Sequence, residues 1–206
     1  MMRKMILAPL VAVAMLGVAA APAGAWWGGG GSSRPATVVD ILVNKSSTDG
    51  FDRNGRDYDI LIKAAATADL VGALSNPSAR LTVFAPDDAA FIRTARSLGF
   101  TGWDEQGAWD FLVGALTQLG NGDPIPVLQT VLLYHVAGTK LGVFQVLTAK
   151  KVDTLANASF GVQFLQLVDN APKLPNPYLN LFALNQNANN GVVHGITRVL
   201  IPVAIG

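Results

Sequence analysis

The spacing of apolar residues changes twice along this chain. From Thr37 to Leu74 it is helical: Val38, Val39, Ile41 and Leu42 make a turn and a half, and Ile60, Leu61, Ala64, Ala65, Ala68 and Leu70 make a second helical face. Leu81-Thr82-Val83-Phe84-Ala85 is a β-branched and aromatic run stopped by Pro86, which predicts a short strand. Asp87 follows where an N-cap belongs, its carboxylate able to accept from the free N–H groups of the next turn, so Ala89 to Ile92 open a helix. Helical spacing continues through Phe91, Ala95 and Leu98 up to Gly99. It returns in Trp109, Leu112, Val113, Leu116 and Leu119 behind Asp104-Glu105, whose charges suit a helix N-terminus. Gly120 to Pro124 breaks the pattern and Val127 to Val136 resumes it. Beyond Gly138, Phe144, Val146, Val152, Leu155, Phe160, Val162, Phe164, Leu167, Leu179 and Leu181 fall in short, partly alternating runs, which predicts strands. Asn190-Gly191 predicts a hairpin turn, because both residues accept positive φ. Helices, one strand, helices and then strands make an α+β chain, with an antiparallel sandwich packed by helices.

The first 25 residues lie outside that pattern. Arg3 and Lys4 precede an apolar run from Met5 to Ala21, and Ala23-Gly24-Ala25 offers a small-residue cleavage site. We read 1–25 as a signal peptide, 26–36 as a glycine-rich flexible leader and 37–206 as a single domain. Association with a membrane is expected only if the N-terminal segment is retained. Losing Arg3 and Lys4 takes the basic count from 15 to 13 against 14 acids, a net charge of −1. No strongly basic face can then exist without an equally acidic one elsewhere, which argues against nucleic acid as a partner. The chain has no cysteine, so an exported fold must be held by its core rather than by disulfides.

Candidate chemistry is sparse. The loop Asp49 to Asp57 carries hard oxygen donors in Asp49, Asp52, Asn54 and Asp57, but the calcium-loop template of an EF-hand fails on it. Aligning Gly55 to the template glycine leaves Gly50 at the first ligand position and Leu61 at the last, where an acid is required. A structured polar loop without metal is the expectation. The two histidines, His135 and His194, are too few for a metal set, and no serine stands in a nucleophile-elbow context. A histidine inside an apolar run is a packing residue with its ring nitrogens hydrogen-bonded, so no catalytic residue and no cofactor are expected.

Three motifs fall in order along the chain: Thr82-Val83-Phe84-Ala85-Pro86 leading to Ala90-Phe91; Leu132-Leu133-Tyr134-His135; and Asn190-Gly191-Val192-Val193-His194 with a strand ending in Leu and Pro. Together they resemble the signature motifs of the fasciclin domain family, over about Thr37 to Pro202. Thr197 stands where the family often has Asp. The interval from Phe100 to Pro126 looks longer than is usual for the family. The resemblance implies a fasciclin-like α+β fold, an antiparallel sandwich or wedge carrying several helices. In it Phe84, Pro86, Phe91, Tyr134, His135, Asn190, Gly191 and His194 serve as structural signature residues.

Fasciclin domains are adhesion and interaction modules without a general enzymatic activity, and a few members carry carotenoids in an apolar groove. The resemblance therefore implies a secreted or periplasmic, non-enzymatic module for a cell-surface or matrix protein or polysaccharide. The alternative is a carrier of an apolar small molecule such as a carotenoid. Recognition is expected on segments that the motifs do not fix: the Asp49–Asp57 loop with Asp52 and Asn54, the Phe100–Asp123 region with Trp103, and the proline-rich Ala171–Tyr178 connection with Tyr178. For Trp103 two readings stand side by side: an exposed ring that stacks on a partner, or a cap over the neighbouring core.

Overall fold

The computed structural model describes residues 36–47 and 50–202. The expected signal peptide, the expected leader up to residue 35 with Trp26 and Trp27, and Asp49 in the acidic loop lie outside the described residues. Three helices open the fold: α1 (Val38–Val43), α2 (Asp59–Thr67) and α3 (Val71–Leu74). Strand β1 (Leu81–Pro86) follows, then α4 (Asp88–Ser97), α5 (Glu105–Leu119) and α6 (Ile125–Tyr134). The remainder is β2 (Val136–Ala137), α7 (Val143–Thr148), β3 (Lys151–Asp153), β4 (Ser159–Gln163), β5 (Gln166–Val168), a 3-10 turn (Leu181–Ala183), β6 (Gln186–Ala188) and β7 (Gly191–Ile196).

The mixed α+β class and the helix caps agree with the residue pattern. Asp87 Oδ1 accepts from Ala90 N at 2.7 Å and Asp104 Oδ1 from Gly107 N at 2.7 Å, so both carboxylates start the helices they precede. Three expectations need correction. First, the sheets are not all antiparallel: the larger runs β2-β1-β7-β6, and its central pair, β1 and β7, is parallel from Leu81↔Gly191 to Pro86↔Ile196. The smaller sheet, β3-β4-β5, is antiparallel. Second, Phe144 and Val146 belong to a helix. Gln145 Oε1 and Asn185 Oδ1 accept the first free N–H groups, of Gly142 and Val143, at 2.8 Å each, and so close the first turn of α7. Third, neither Asn190 nor Gly191 is among the residues with positive φ.

These two residues are required for other reasons. A Cβ on Gly191 would meet the Leu81 carbonyl oxygen, so glycine permits the close approach of β7 to the start of β1. Asn190, 1% exposed, accepts from Val38 N at 2.9 Å and donates to the carbonyls of Leu74 and Asn76 at 2.8 and 3.0 Å. One side chain thereby ties the hairpin to the start of α1 and the end of α3.

All six residues of β1 and all six of β7 are buried. Leu81, Val83 and Ala85 face the helices, within a core shared with Ile60, Leu61, Leu128 and Leu132. Phe84 belongs to a second core with Tyr134, Val152, Phe160, Leu167, Ile196 and Leu200, between the two sheets. Its ring and that of Phe160 stand edge to face with centroids 5.1 Å apart, and the Tyr134 and Phe160 rings do so at 5.9 Å. Burial on both faces is why β1 reads as a continuous apolar run.

The histidines are built into this frame as neutral rings. His135 Nε2 accepts from Leu200 N at 2.9 Å, which leaves Nδ1 to donate to the Val131 carbonyl at 2.7 Å. His194 is the opposite tautomer: Nδ1 accepts from Asn185 N at 3.2 Å and Nε2 donates to the Leu141 carbonyl at 2.9 Å. The C-terminal segment Val199–Ile201, expected as a continuation of the last strand, runs instead on side-chain partners. Thr94, His135 and Asp169 accept its three N–H groups at 3.0, 2.9 and 2.9 Å.

Two outcomes are expected from this packing. Phe84→Ala removes the ring that joins the two sheets and should cost about 3–5 kcal/mol in urea denaturation. Burial lowers the His135 pKa to about 4, from an unfolded value of 6.5. The unfolded chain then binds more protons below pH 6.5, so stability should fall as pH drops from 6.5 towards 4, by up to about 3 kcal/mol. The difference between the wild-type and His135→Gln denaturation curves across that window isolates the effect. A pH-independent difference would show that the ring is not held neutral.

Candidate functional site

Three features stand apart from the frame. The first is a group of carboxylates at the junction of α2, α4 and α5. Asp57, Asp59, Asp88 and Glu105 are all buried, while Asp52 is exposed on the loop before them. Asp88 caps α2 from a distance, accepting from Asp59 N at 3.1 Å and Ile60 N at 2.9 Å. Glu105 accepts from Asp52 N at 2.7 Å and Asp59 from Ser47 N at 2.9 Å. Asn54 donates its amide to Asp57 Oδ2 at 3.1 Å and so orients that carboxylate. Burial raises the pKa of Asp59 and Glu105, and it pushes Asp88 up to about 9, helped by the hydrogen bond and negative charge of Asp57. The acids that converge here come from four segments, and no loop template could have found Asp59, Asp88 and Glu105 as partners of Asp52.

The second is a groove of about 990 Å³ between α4, α5, α6 and the C-terminal segment, lined by Leu98, Trp109, Leu112, Leu116, Val131 and Ile201. The long interval after Phe100 supplies α5, and the apolar face of α5 walls the groove. Its polar lining comprises Thr94, Asp110, Gln118, Thr130 and His135, and both ring nitrogens of His135 are taken by backbone groups.

The third is a set of exposed apolar side chains. Trp103 is 72% exposed and does not cover the core; the Arg96 guanidinium lies over one face of its ring at 3.6 Å, while donating to the carbonyls of Thr101 and Gly102. Phe100 packs inward instead, its ring against Phe111 at 5.6 Å and over Gly102 and Gly107. Phe144, Phe164, Leu181 and Phe182 are 80, 76, 61 and 99% exposed, and Tyr178 is half exposed. The segments that carry them adjoin. Leu179 N donates to the Leu165 carbonyl at 2.8 Å, which sets the Tyr178 segment beside the β4–β5 turn, and the Val143–Asn185 bond ties α7 to the chain just past the 3-10 turn. Phe164 holds this turn at φ 55, a conformation that a bulky side chain rarely adopts. Of these residues Tyr178 alone is a candidate from the sequence, whose spacing predicts strand positions for Phe144, Phe164 and Leu181. Asp52, Asn54, Trp103 and Tyr178 thus fall into three separate places, with Asp52 and Asn54 together at the carboxylates.

Comparison with known proteins bears on the frame rather than on these features. None of the curated protein sequences compared matches this chain. Among solved structures, the chain is similar to a FAS1 domain pair from the insect cell adhesion molecule Fasciclin I, at 14% identity and a TM-score of 0.54. The match covers 81% of this chain and 51% of that one, so the chain spans about half the length of the structure it resembles. The family model for the fasciclin domain matches residues 56–202, which include all three signature motifs. The chain belongs to the fasciclin domain family, whose members are commonly adhesion and interaction modules.

Proposed function

We propose that this protein is a secreted or periplasmic, non-enzymatic fasciclin module that docks a cell-surface or matrix partner, protein or polysaccharide, through exposed aromatic side chains. The observation that carries this reading is the patch of Phe144, Phe164, Tyr178 and Phe182, around a turn where Phe164 holds a left-handed backbone. Large apolar side chains exposed on adjoining segments mark an interaction surface, and the strained backbone of Phe164 is retained where a function needs its side chain there. Trp103, with one ring face taken by Arg96, is a second and smaller anchor. A non-enzymatic role is supported by His135 and His194, whose ring nitrogens are all occupied by backbone groups. Export is supported by the basic, apolar and small-residue order of Met1 to Ala25, with residues 26–36 as leader and 37–206 as the fasciclin domain. No helix among the described residues is long and apolar enough to cross a membrane.

The groove supports a second reading, a carrier of an apolar small molecule such as a carotenoid. Its volume is within the range of small-molecule sites, and its walls are almost wholly apolar. A carrier would purify with bound pigment or lipid from its native host, and Leu116→Trp would displace that cargo while leaving envelope association intact.

Two measurements check the main reading. The intact mass of the exported protein should correspond to a chain beginning at Trp26; a species retaining Met1 would make it an anchored protein. The double variant Phe164→Asn and Phe182→Ser should fold with at least wild-type stability, since Asn tolerates positive φ. Its association with native envelopes or exopolysaccharide should fall by about tenfold or more, as for loss of interface anchors worth ~2 kcal/mol. Unchanged association would exclude this face.

A further inference from the structure

Buried carboxylates require a counter-charge or a full set of donors, because an unpaired charge out of water is costly. Asp57, Asp59, Asp88 and Glu105 are 2, 6, 0 and 2% exposed. The ion pairs among the described residues, Arg93 with Asp87 and Lys151 with Asp153, involve none of them. The nearby Lys63 ammonium lies over the Phe51 ring, 4.5 Å from its centre, and 5.7 Å from that of Trp109. Backbone N–H groups serve Asp88 twice and Asp59 and Glu105 once each. None reaches Asp57 Oδ1 or Asp59 Oδ2, and with all the carboxylates ionised both atoms are buried without a hydrogen-bond donor.

We propose that Asp52, Asp57 and Asp59, backed by Asp88 and Glu105, form a binding site for a divalent cation of the calcium type. Asp52, Asp57 and Asp59 each bring a carboxylate oxygen within 4.8 Å of the other two, and Asp57, Asp88 and Glu105 form a second such set that shares Asp57. Calcium–oxygen bonds of ~2.3–2.6 Å let two ligands of one ion stand up to ~5 Å apart, whereas magnesium at ~2.0–2.1 Å demands ~4.2 Å or less. The oxygen-only donor set favours an alkaline-earth ion over zinc or copper. Asp52, exposed, supplies the way in, and the amide of Asn54 orients Asp57 from outside the donor set, a supporting role rather than that of a ligand. The site differs from the EF-hand arrangement that the loop fails to match, and it replaces the expectation of a metal-free polar loop. The ligands come from the middle and the end of the loop and from the start of α2, with α4 and α5 behind them.

The test uses the full chain stripped with EDTA. Terbium should give saturable luminescence through Trp109, one helical turn along α5 from Glu105, and calcium should displace it. Calcium should also raise the melting temperature above its value in EDTA, because the ion binds the folded state. Asp52→Asn, at an exposed position, should weaken calcium by about tenfold or more, since affinity follows the charge of the ligand set. Asp59→Asn should weaken it likewise, and Asp153→Asn, at the surface, should leave it unchanged. Absence of saturable luminescence, or equal melting temperatures in EDTA and calcium, would overturn the site and leave a proton between Asp57 and Asp88 as the compensation. Equal affinity in wild type, Asp52→Asn and Asp59→Asn would place the ion elsewhere and overturn the proposal as well.

Discussion

The parallel pairing of β1 with β7 is the constraint on which the rest of the fold depends. It brings residues more than a hundred positions apart into a six-residue ladder with both faces buried. Each face then needs its own cover: the helices on one side, the three-stranded sheet on the other. The signature residues act at the joints of that arrangement. Phe84 fills the space between the sheets, Gly191 allows the strands to approach, and Asn190 ties the β6–β7 turn to α1 and α3. His135 and His194 hold segments that run without a ladder, each in the one tautomer its backbone partners permit. Thr197 also joins segments, since its hydroxyl accepts from Tyr178 N at 2.9 Å and its carbonyl from Arg93 Nε at 2.9 Å.

The polar residues of the motifs are occupied in this way, so the recognition proposed above falls on other segments. Phe144, Phe164, Tyr178 and Phe182 stand on α7, on the β4–β5 turn and on the connection through the 3-10 turn, the groove is walled by the long helix α5, and the carboxylates gather where the loop before α2 meets α4 and α5. These are three separate features of one frame. A fold that is rigid at the ladder can vary each of them without disturbing the others.

Legibility in the sequence followed the range of each interaction. Asp87 is readable as a cap, and Asp104 as an acid at a helix start, because both act within one turn, and the fasciclin motifs are readable because each is a local run. The direction of β7 against β1 is not, since alternation of side chains is the same in parallel and antiparallel strands. The spacing of Phe144 and Phe164 fits a strand. What makes Phe144 helical is the remote amide of Asn185, and what exposes Phe164 is a turn conformation that its own side chain disfavours. Asp52 and Asn54 were singled out, but their partners Asp59, Asp88 and Glu105 lie on three helices, and only the tertiary fold brings them together.

Native-state hydrogen exchange tests the central claim most directly, because it ranks the elements by the free energy needed to open them. If the β1–β7 ladder holds the fold, the amides of Thr82 to Ala85 and Val192 to Ile196 should be the last to exchange, and only through global unfolding. Those of α5 and of the β3-β4-β5 sheet should open earlier. Exchange of the ladder amides ahead of α5 and α6 would contradict the account, and would make the helical layer, rather than the buried parallel pair, the part on which the rest depends.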